Sequence, residues 1–220
     1  MKDVSGPAMP STAKGGAGEF CGGGTGMDWM ERLLLRTFGR PQGALGRLGG
    51  RVMARTNSAF AHTFIDALEV GPDAKVLEVG FGPGMAIEHL AGMASPVWVA
   101  GVDCSIEMIE QASARNAAAI DSGLVDLRQG VAQHLPFRDE IFDLAFAINS
   151  MQVWPDVRGG LREILRVLKP GGRIALGFTP HSRQADEGAM QAVEAAGFAG
   201  PRLLQLEGGF GVIAERPGPA

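Results

Sequence analysis

The stretch Val76-Leu77-Glu78-Val79-Gly80-Phe81-Gly82-Pro83-Gly84 decides the fold. Its first four residues are apolar apart from one carboxylate, as in a short strand buried in a sheet. The alternate glycines that follow permit a tight turn and a close backbone approach to a ligand, because no Cβ intervenes. From about Met85 to Ala91 the pattern is helical. A strand passing through a glycine turn into a helix opens an α/β sheet, whose ligand lies beyond the carboxyl ends of the strands.

Downstream, strands are expected at Val97–Val102, Val125–Gln129, Phe142–Ile148 and Arg173–Phe178, with helices at about Ile106–Ala119, Leu161–Leu168 and Glu187–Ala196. Lys169-Pro170-Gly171-Gly172 reads as a stop between the second helix and the strand after it. Two last strands, about Arg202–Glu207 and Gly211–Glu215, flank Gly208-Gly209 and form an antiparallel hairpin at the sheet edge. The expected fold is therefore α/β: a doubly wound, Rossmann-like, seven-stranded, mostly parallel sheet with a C-terminal antiparallel hairpin and an N-terminal helical cap.

The spacing separates this turn from a dinucleotide fingerprint. G-x-G-x-x-G/A requires a small residue where Met85 stands. Glu78 would repel a pyrophosphate and attract an ammonium or sulfonium cation, so the turn suits a ligand poorer in phosphate and partly cationic. About twenty residues on, Gly101-Val102-Asp103 ends the second strand, where a carboxylate can accept both ribose hydroxyls. The structural alternative, Asp103 as a helix N-cap, competes with Ser105, a better-placed cap.

Taken together, Glu78 to Gly84, Asp103-Cys104-Ser105-Ile106-Glu107-Met108, Leu135-Pro136-Phe137, Phe142-Asp143 and Leu168-Lys169-Pro170-Gly171-Gly172 resemble the class I S-adenosylmethionine-dependent methyltransferases. The similarity is to the broad bacterial type that includes ubiquinone and sterol methyltransferases, and it covers about residues 50 to 180. The resemblance implies S-adenosyl-L-methionine as cofactor, with Glu78, Gly80 and Gly82 at its methionine end, Gly84 also among the cofactor-binding residues, Asp103 at its ribose, and Cys104 and Met108 flanking adenine. Relatives carry Gly-Asp-Ala before Leu-Pro-Phe, and that aspartate binds the adenine amino group. Here the segment is Gly130-Val131-Ala132, which leaves adenine to the backbone of Val131 and Ala132, to Gln133, or to Asp126 in another register.

Methyl transfer from a sulfonium needs alignment above all, and a base only where the acceptor must lose a proton. The acceptor pocket is expected on Asn149 to Trp154, with Met151 and Trp154 as apolar walls and the Asn149 amide meeting cofactor or acceptor. His181, after the fifth strand, is a candidate base or else a solvated loop residue. His134 reads as structural or adenine-flanking, and His62 as filling a helix side.

The rest of the chain sets limits. With 45% hydrophobic and 20% charged residues, the composition is that of a globular protein. Residues 1–26, with eight glycines and two prolines, are expected to be a disordered leader or a remnant outside the fold. Residues 27–70 are expected to form a helical cap or lid, one helix starting at Asp28 and another running from about Leu45 to Leu68, and residues 71–216 the catalytic domain. The net charge of −4 hides a contrast: residues 1–62 carry 8 Lys and Arg against 4 Asp and Glu, whereas residues 63–220 carry 12 against 20. An acidic main domain argues against binding duplex nucleic acid. Arg47, Arg51 and Arg55 share one helix face, either solvated or placed to clamp an anionic acceptor.

Cys21 and Cys104, far apart, build neither a disulfide scaffold nor a metal site, so no metal is expected and a cytoplasmic location is. The N-terminus lacks the apolar run of a signal peptide, and apolar stretches such as Ile141 to Ile148 are too short to cross a bilayer. The expected function is methyl transfer to a small-molecule acceptor. A non-catalytic cofactor-binding module and a nicotinamide-dependent oxidoreductase are the alternatives. The oligomeric state has no signature in the sequence.

Overall fold

The computed structural model describes residues 58–93 and 97–218. The chain divides between Gln42 and Gly43, and every described residue falls in the second unit. The expected leader 1–26, the helix from Asp28 and the arginines Arg47, Arg51 and Arg55 lie outside the described residues.

Seven strands form one sheet: β1 Lys75–Val79, β2 Trp98–Asp103, β3 Val125–Gln129, β4 Phe142–Ile148, β5 Leu168–Phe178, β6 Ala199–Leu206 and β7 Gly209–Glu215. Their spatial order is β3-β2-β1-β4-β5-β7-β6. The first five run parallel, and β7 lies antiparallel between β5 and β6. Six helices are described: α1 over residues 58–67, α2 Met85–Ala91, α3 Ile106–Arg115, α4 Ala117–Asp121, α5 Val157–Val167 and α6 Asp186–Ala195. The chain leaves β1 toward β2 on one side and later returns to β4 on the other. That reversal opens a crevice at the carboxyl ends of β1 and β4.

The strands alternate their side chains between two cores, because both faces of the sheet are covered. Leu77, Val79, Ala145, Ala147, Ile174 and Leu176 point to the side of α5 and α6. Val76, Leu144, Phe146 and Ala175 point to the side of α1 and α2. Phe60 and Phe64 of α1 stack with centroids 5.8 Å apart and pack over Gly177 and Gly211, where a Cβ on Gly211 would lie 2.7 Å from the Phe64 ring and one on Gly177 3.2 Å from both rings. His62 sits on the exposed face of α1, its ring stacked 4.3 Å from that of His89, which in turn bonds Asp66 at 2.7 Å.

Several boundaries differ from the sequence reading: α5 starts at Val157, behind the Asp156 cap, and not at Leu161, and β6 and β7 start at Ala199 and Gly209 instead of about Arg202 and Gly211. The helix expected over Ile106–Ala119 breaks at Asn116, whose buried side-chain amide donates to the carbonyls of Gly84 (3.2 Å) and Ala112 (2.9 Å). Strand β5 begins at Leu168, not Arg173, because Leu168 pairs with Phe142 across an irregular register and Lys169 to Gly172 continue the strand.

The crossover from β3 to β4 is held by Arg128, which donates to the Pro136 carbonyl at 2.6 Å, by Glu163, which accepts from the Leu135 N–H at 2.9 Å, and most extensively by Arg166. The Arg166 guanidinium on α5 donates to both carboxylate oxygens of Glu163, to Asp139, and to the carbonyls of Leu135 and Phe137, at 2.7–3.1 Å. The hydrogen bonds from Arg166 hold the Glu163 carboxyl below its ordinary pKa range, against the opposing effect of partial burial. Arg166→Met is expected to destabilise the protein by about 2 to 3 kcal/mol, since charge-assisted bonds are lost and two carbonyls are stranded. Denaturant unfolding at pH 7 checks this. The loss should shrink as pH falls below the ordinary Glu range, because a carboxyl with a lowered folded pKa stabilises only while ionised.

Candidate active site

Asp103 ends β2 and its carboxylate organises the glycine turn. One oxygen accepts from the Gly82 N–H and the other from the Ser105 N–H, both at 2.9 Å. The α3 N-cap is Ser105, which accepts from the Met108 N–H at 3.3 Å, so Asp103 is not the cap. Each carboxylate oxygen keeps lone-pair capacity for a ligand hydroxyl. Backbone bonds run from Gly80 to Val102 (2.7 Å) and from Gly130 to Asp103 (3.0 Å), tying the ends of β1, β2 and β3 together. Arg115 holds the turn from behind, donating to the Pro83 carbonyl at 2.9 Å and pairing with Glu88 at 3.0 Å. Phe81, 4% exposed, anchors the turn in the core.

Two glycines here have no substitute. Gly80 has φ +79°, and a Cβ on it would lie 2.1 Å from Ser150 Oγ. Gly84, at φ +77°, would place a Cβ 2.7 Å from Ala112 Cβ and 2.8 Å from the Asn116 amide. Gly82 is different: its φ is +52°, yet a Cβ there would meet nothing within 4 Å, so its backbone faces open space.

Glu78, the last-but-one residue of β1, is 3% exposed and its Oε2 has no hydrogen-bond partner. Burial pushes its carboxyl well above the ordinary range, and the neighbouring Asp103 charge adds to the shift. A buried acid without a donor, beside a turn open to a ligand, suits a positively charged group. The structure thus brings together Glu78, Gly80, Gly82, Gly84 and Asp103 at one end of the sheet, with Cys104 exposed and Met108 half-buried at the start of α3.

The segment expected at adenine is arranged around backbone. Val131 is partly exposed, and its carbonyl accepts from the His134 N–H at 3.1 Å. Ala132 is 6% exposed and packs in the core. The two side-chain substitutes named above are engaged elsewhere: Asp126 pairs with Arg128 at 2.7 Å, and Gln133 donates to the Asp156 carbonyl at 3.3 Å. His134 is exposed on the crossover.

The segment after β4 departs most from expectation. Met151 is 3% exposed and belongs to the core, so it is no pocket wall. Asn149 adopts φ +49°, and its amide is engaged with Thr179, accepting from the Thr179 N–H (2.9 Å) and donating to Thr179 Oγ1 (3.0 Å). It fixes the ends of β4 and β5 to each other. Trp154 is partly buried with its indole N–H on Ser150 Oγ at 2.9 Å. His181 is exposed on the short 3-10 turn Pro180–Ser182 and, among the described residues, forms no hydrogen bond or ion pair. Sequence reading missed Asn116, Arg115 and Ser150, whose roles rest on partners far along the chain. For Asn116 the available signal was a short polar residue inside a helical run.

Comparison with known proteins agrees with this geometry. Residues 77–176 match the family model described as a methyltransferase domain. The uncharacterized methyltransferase YdaC of Bacillus subtilis (strain 168) is 31% identical over 139 residues, covering 63% of this chain and 74% of that protein. The ubiquinone/menaquinone biosynthesis C-methyltransferase UbiE of Geotalea daltonii is 34% identical over 116 residues, 51% of this chain and 48% of that one, so the match spans about half of its length. Among solved structures, a SAM-dependent methyltransferase from Aquifex aeolicus superposes with a TM-score of 0.66 at 19% identity, covering 76% of this chain and 97% of that one. With residues 77–176 matched by the methyltransferase-domain model and a methyltransferase relative 31% identical and matched over 74% of its length, the chain belongs to the class I S-adenosylmethionine-dependent methyltransferases.

Proposed function

We propose that the chain transfers a methyl group from S-adenosylmethionine to a small-molecule acceptor. The observation that carries the reading is the buried, donorless Glu78 oxygen beside the open Gly82 backbone. Glu78 would face the cationic methionine end, the turn from Gly80 to Gly84 would admit its backbone, and Asp103 would take the ribose hydroxyls. When bound, S-adenosylmethionine supplies a methyl whose bond to sulfur breaks, both electrons staying on sulfur, as the bond to the acceptor forms. The chain's own contribution is positioning. Asn149 and Thr179 lock the ends of β4 and β5, and exposed His181 is the base wherever an acceptor must lose a proton. The small-molecule reading is supported by the likeness to UbiE, whose name specifies quinone biosynthesis, and by the acidic balance of residues 63–220. No helix among the described residues is long and apolar enough to cross a membrane.

Asp103→Ala tests the ribose assignment. It removes two acceptors from the turn and the ligand's hydroxyl partner together, at about 1.5 to 3 kcal/mol for bonds to a charged group. S-adenosylhomocysteine affinity measured by calorimetry should fall about 10- to 100-fold. Unchanged affinity would remove Asp103 from the site.

A further inference from the structure

The turn from Gly80 to Gly84 is soft by composition. Glycine loses more conformational freedom on folding than any other residue, and Gly80, Gly82 and Gly84 hold φ values of +79°, +52° and +77°. Pro83 has no backbone N–H to contribute to the turn's own hydrogen bonds. Inside the turn the Gly84 N–H donates to the Phe81 carbonyl at 3.0 Å.

Side chains from far along the sequence hold the three consecutive residues 82 to 84, one each. Asp103 accepts from the Gly82 N–H at 2.9 Å, Arg115 Nε donates to the Pro83 carbonyl at 2.9 Å, and the Asn116 amide donates to the Gly84 carbonyl at 3.2 Å. The peptide between Pro83 and Gly84 is therefore fixed at both its polar atoms, the N–H by Phe81 and the carbonyl by Arg115. Arg115 and its neighbour Asn116 close the C-terminal end of α3, whose first turn carries Met108. Asn116 is buried and also ties the helix end, so its loss would disturb packing. The Arg115 side chain is 38% exposed, and the fold should survive without it.

We infer that Arg115 is a positioning residue for the cofactor: by fixing the Pro83 carbonyl it keeps the turn in the conformation that admits the amino-acid end of S-adenosylmethionine. This rests on S-adenosylmethionine binding at the Gly80 turn. Arg115 acts through the turn and not on the ligand, because a loop ordered before the ligand arrives loses less entropy when it binds. Its ion pair with Glu88 at 3.0 Å is a separable role: it joins α3 to α2 at the surface, where such pairs contribute little. The effect is confined to one end of the ligand, since adenine and ribose are assigned to the start of α3 and to Asp103.

Adenosine is S-adenosylhomocysteine without its amino-acid end, so the pair of ligands reads the turn separately from the rest of the site. S-adenosylhomocysteine is titrated calorimetrically into the full chain, Arg115→Met and Glu88→Gln, and adenosine affinity is read by competition against it, with denaturant unfolding of each protein. In Arg115→Met, S-adenosylhomocysteine affinity should fall about 5- to 10-fold while adenosine affinity stays within about twofold. A merely structural residue would lower both in parallel. Glu88→Gln removes the ion pair and leaves the bond to Pro83, so both affinities should stay within about twofold of the parent. Parallel loss of both ligands, unchanged S-adenosylhomocysteine affinity in Arg115→Met, or the same selective loss in Glu88→Gln would each overturn the inference. A parent chain that does not bind S-adenosylhomocysteine would instead overturn the cofactor reading on which it rests.

Discussion

Glu78→Gln is expected to raise the melting temperature of the ligand-free protein and to abolish most of its affinity for S-adenosylmethionine. The two effects have one cause. The Glu78 carboxyl is 3% exposed, lacks a partner for Oε2 and sits beside Asp103, so ionising it in the folded protein is unfavourable. A neutral amide of the same shape relieves that cost, worth about 1 to 3 kcal/mol for an uncompensated buried group. At about 2 to 4 °C per kcal/mol for a chain of this size, the melting temperature rises by several degrees. The pH dependence follows from the direction of the shift. Below the ordinary Glu pKa both folded and unfolded chains hold the proton, and the parent loses nothing. As pH rises toward the elevated folded value the unfolded chain releases its proton first, so parent stability declines and the advantage of Glu78→Gln grows. Ligand affinity runs the other way, since the cation binds the ionised acid. Losing that charge should cost about 1.5 to 3 kcal/mol, or about 10- to 150-fold in Kd. Thermal melts at two pH values, with and without S-adenosylhomocysteine, read both effects. A variant that is less stable yet binds normally would mean that Glu78 is merely a packed residue.

Gly80→Ala is expected to do the most damage of any single methyl addition to the turn. At φ +79° an alanine costs about 1 to 2 kcal/mol in backbone strain alone. Its Cβ would also lie 2.1 Å from Ser150 Oγ and 2.7 Å from Ser150 Cβ, so Ser150 must move, and with it the Trp154 indole that it holds. Overpacking of this kind adds about 1 to 3 kcal/mol. Unfolding by denaturant should show the sum, and calorimetry should show no binding of S-adenosylhomocysteine. The double variant Gly80→Ala with Ser150→Gly should recover the steric part of the stability and not the strain. A Gly80→Ala protein as stable as its parent would contradict the turn geometry.

How much of this was legible in the sequence depended on distance along the chain. The glycine turn is local: β1, Gly80, Gly82, Gly84 and α2 follow within 17 residues, and each glycine carries its own signal. Strand β3 was read with both ends correct for the same reason, an apolar start between turn residues. Asp103 could be placed because a strand end and a helix cap candidate are adjacent to it. Long-range partners were invisible. The helix break at Asn116 needs the Gly84 carbonyl 32 residues upstream, and Asn149 looked like a ligand-facing amide until Thr179, 30 residues on, claimed it. Lys169 to Gly172 read as a stop because proline and glycine usually punctuate, yet β4 pairs on either side of it, at Leu168 and Arg173, and backbone bonds to Arg216 carry the strand through this irregularity. Met151 looked like a pocket wall because its residue type suits one, and only the direction of the 3-10 turn places it in the core.

One calorimetric experiment tests the cofactor site most directly: titration of S-adenosylmethionine, S-adenosylhomocysteine and NAD into the full chain at neutral pH. One site is expected for each of the first two ligands and none for NAD, whose pyrophosphate would meet Glu78. Binding of NAD, or no binding of either sulfur ligand at millimolar concentration, would contradict S-adenosylmethionine as the cofactor.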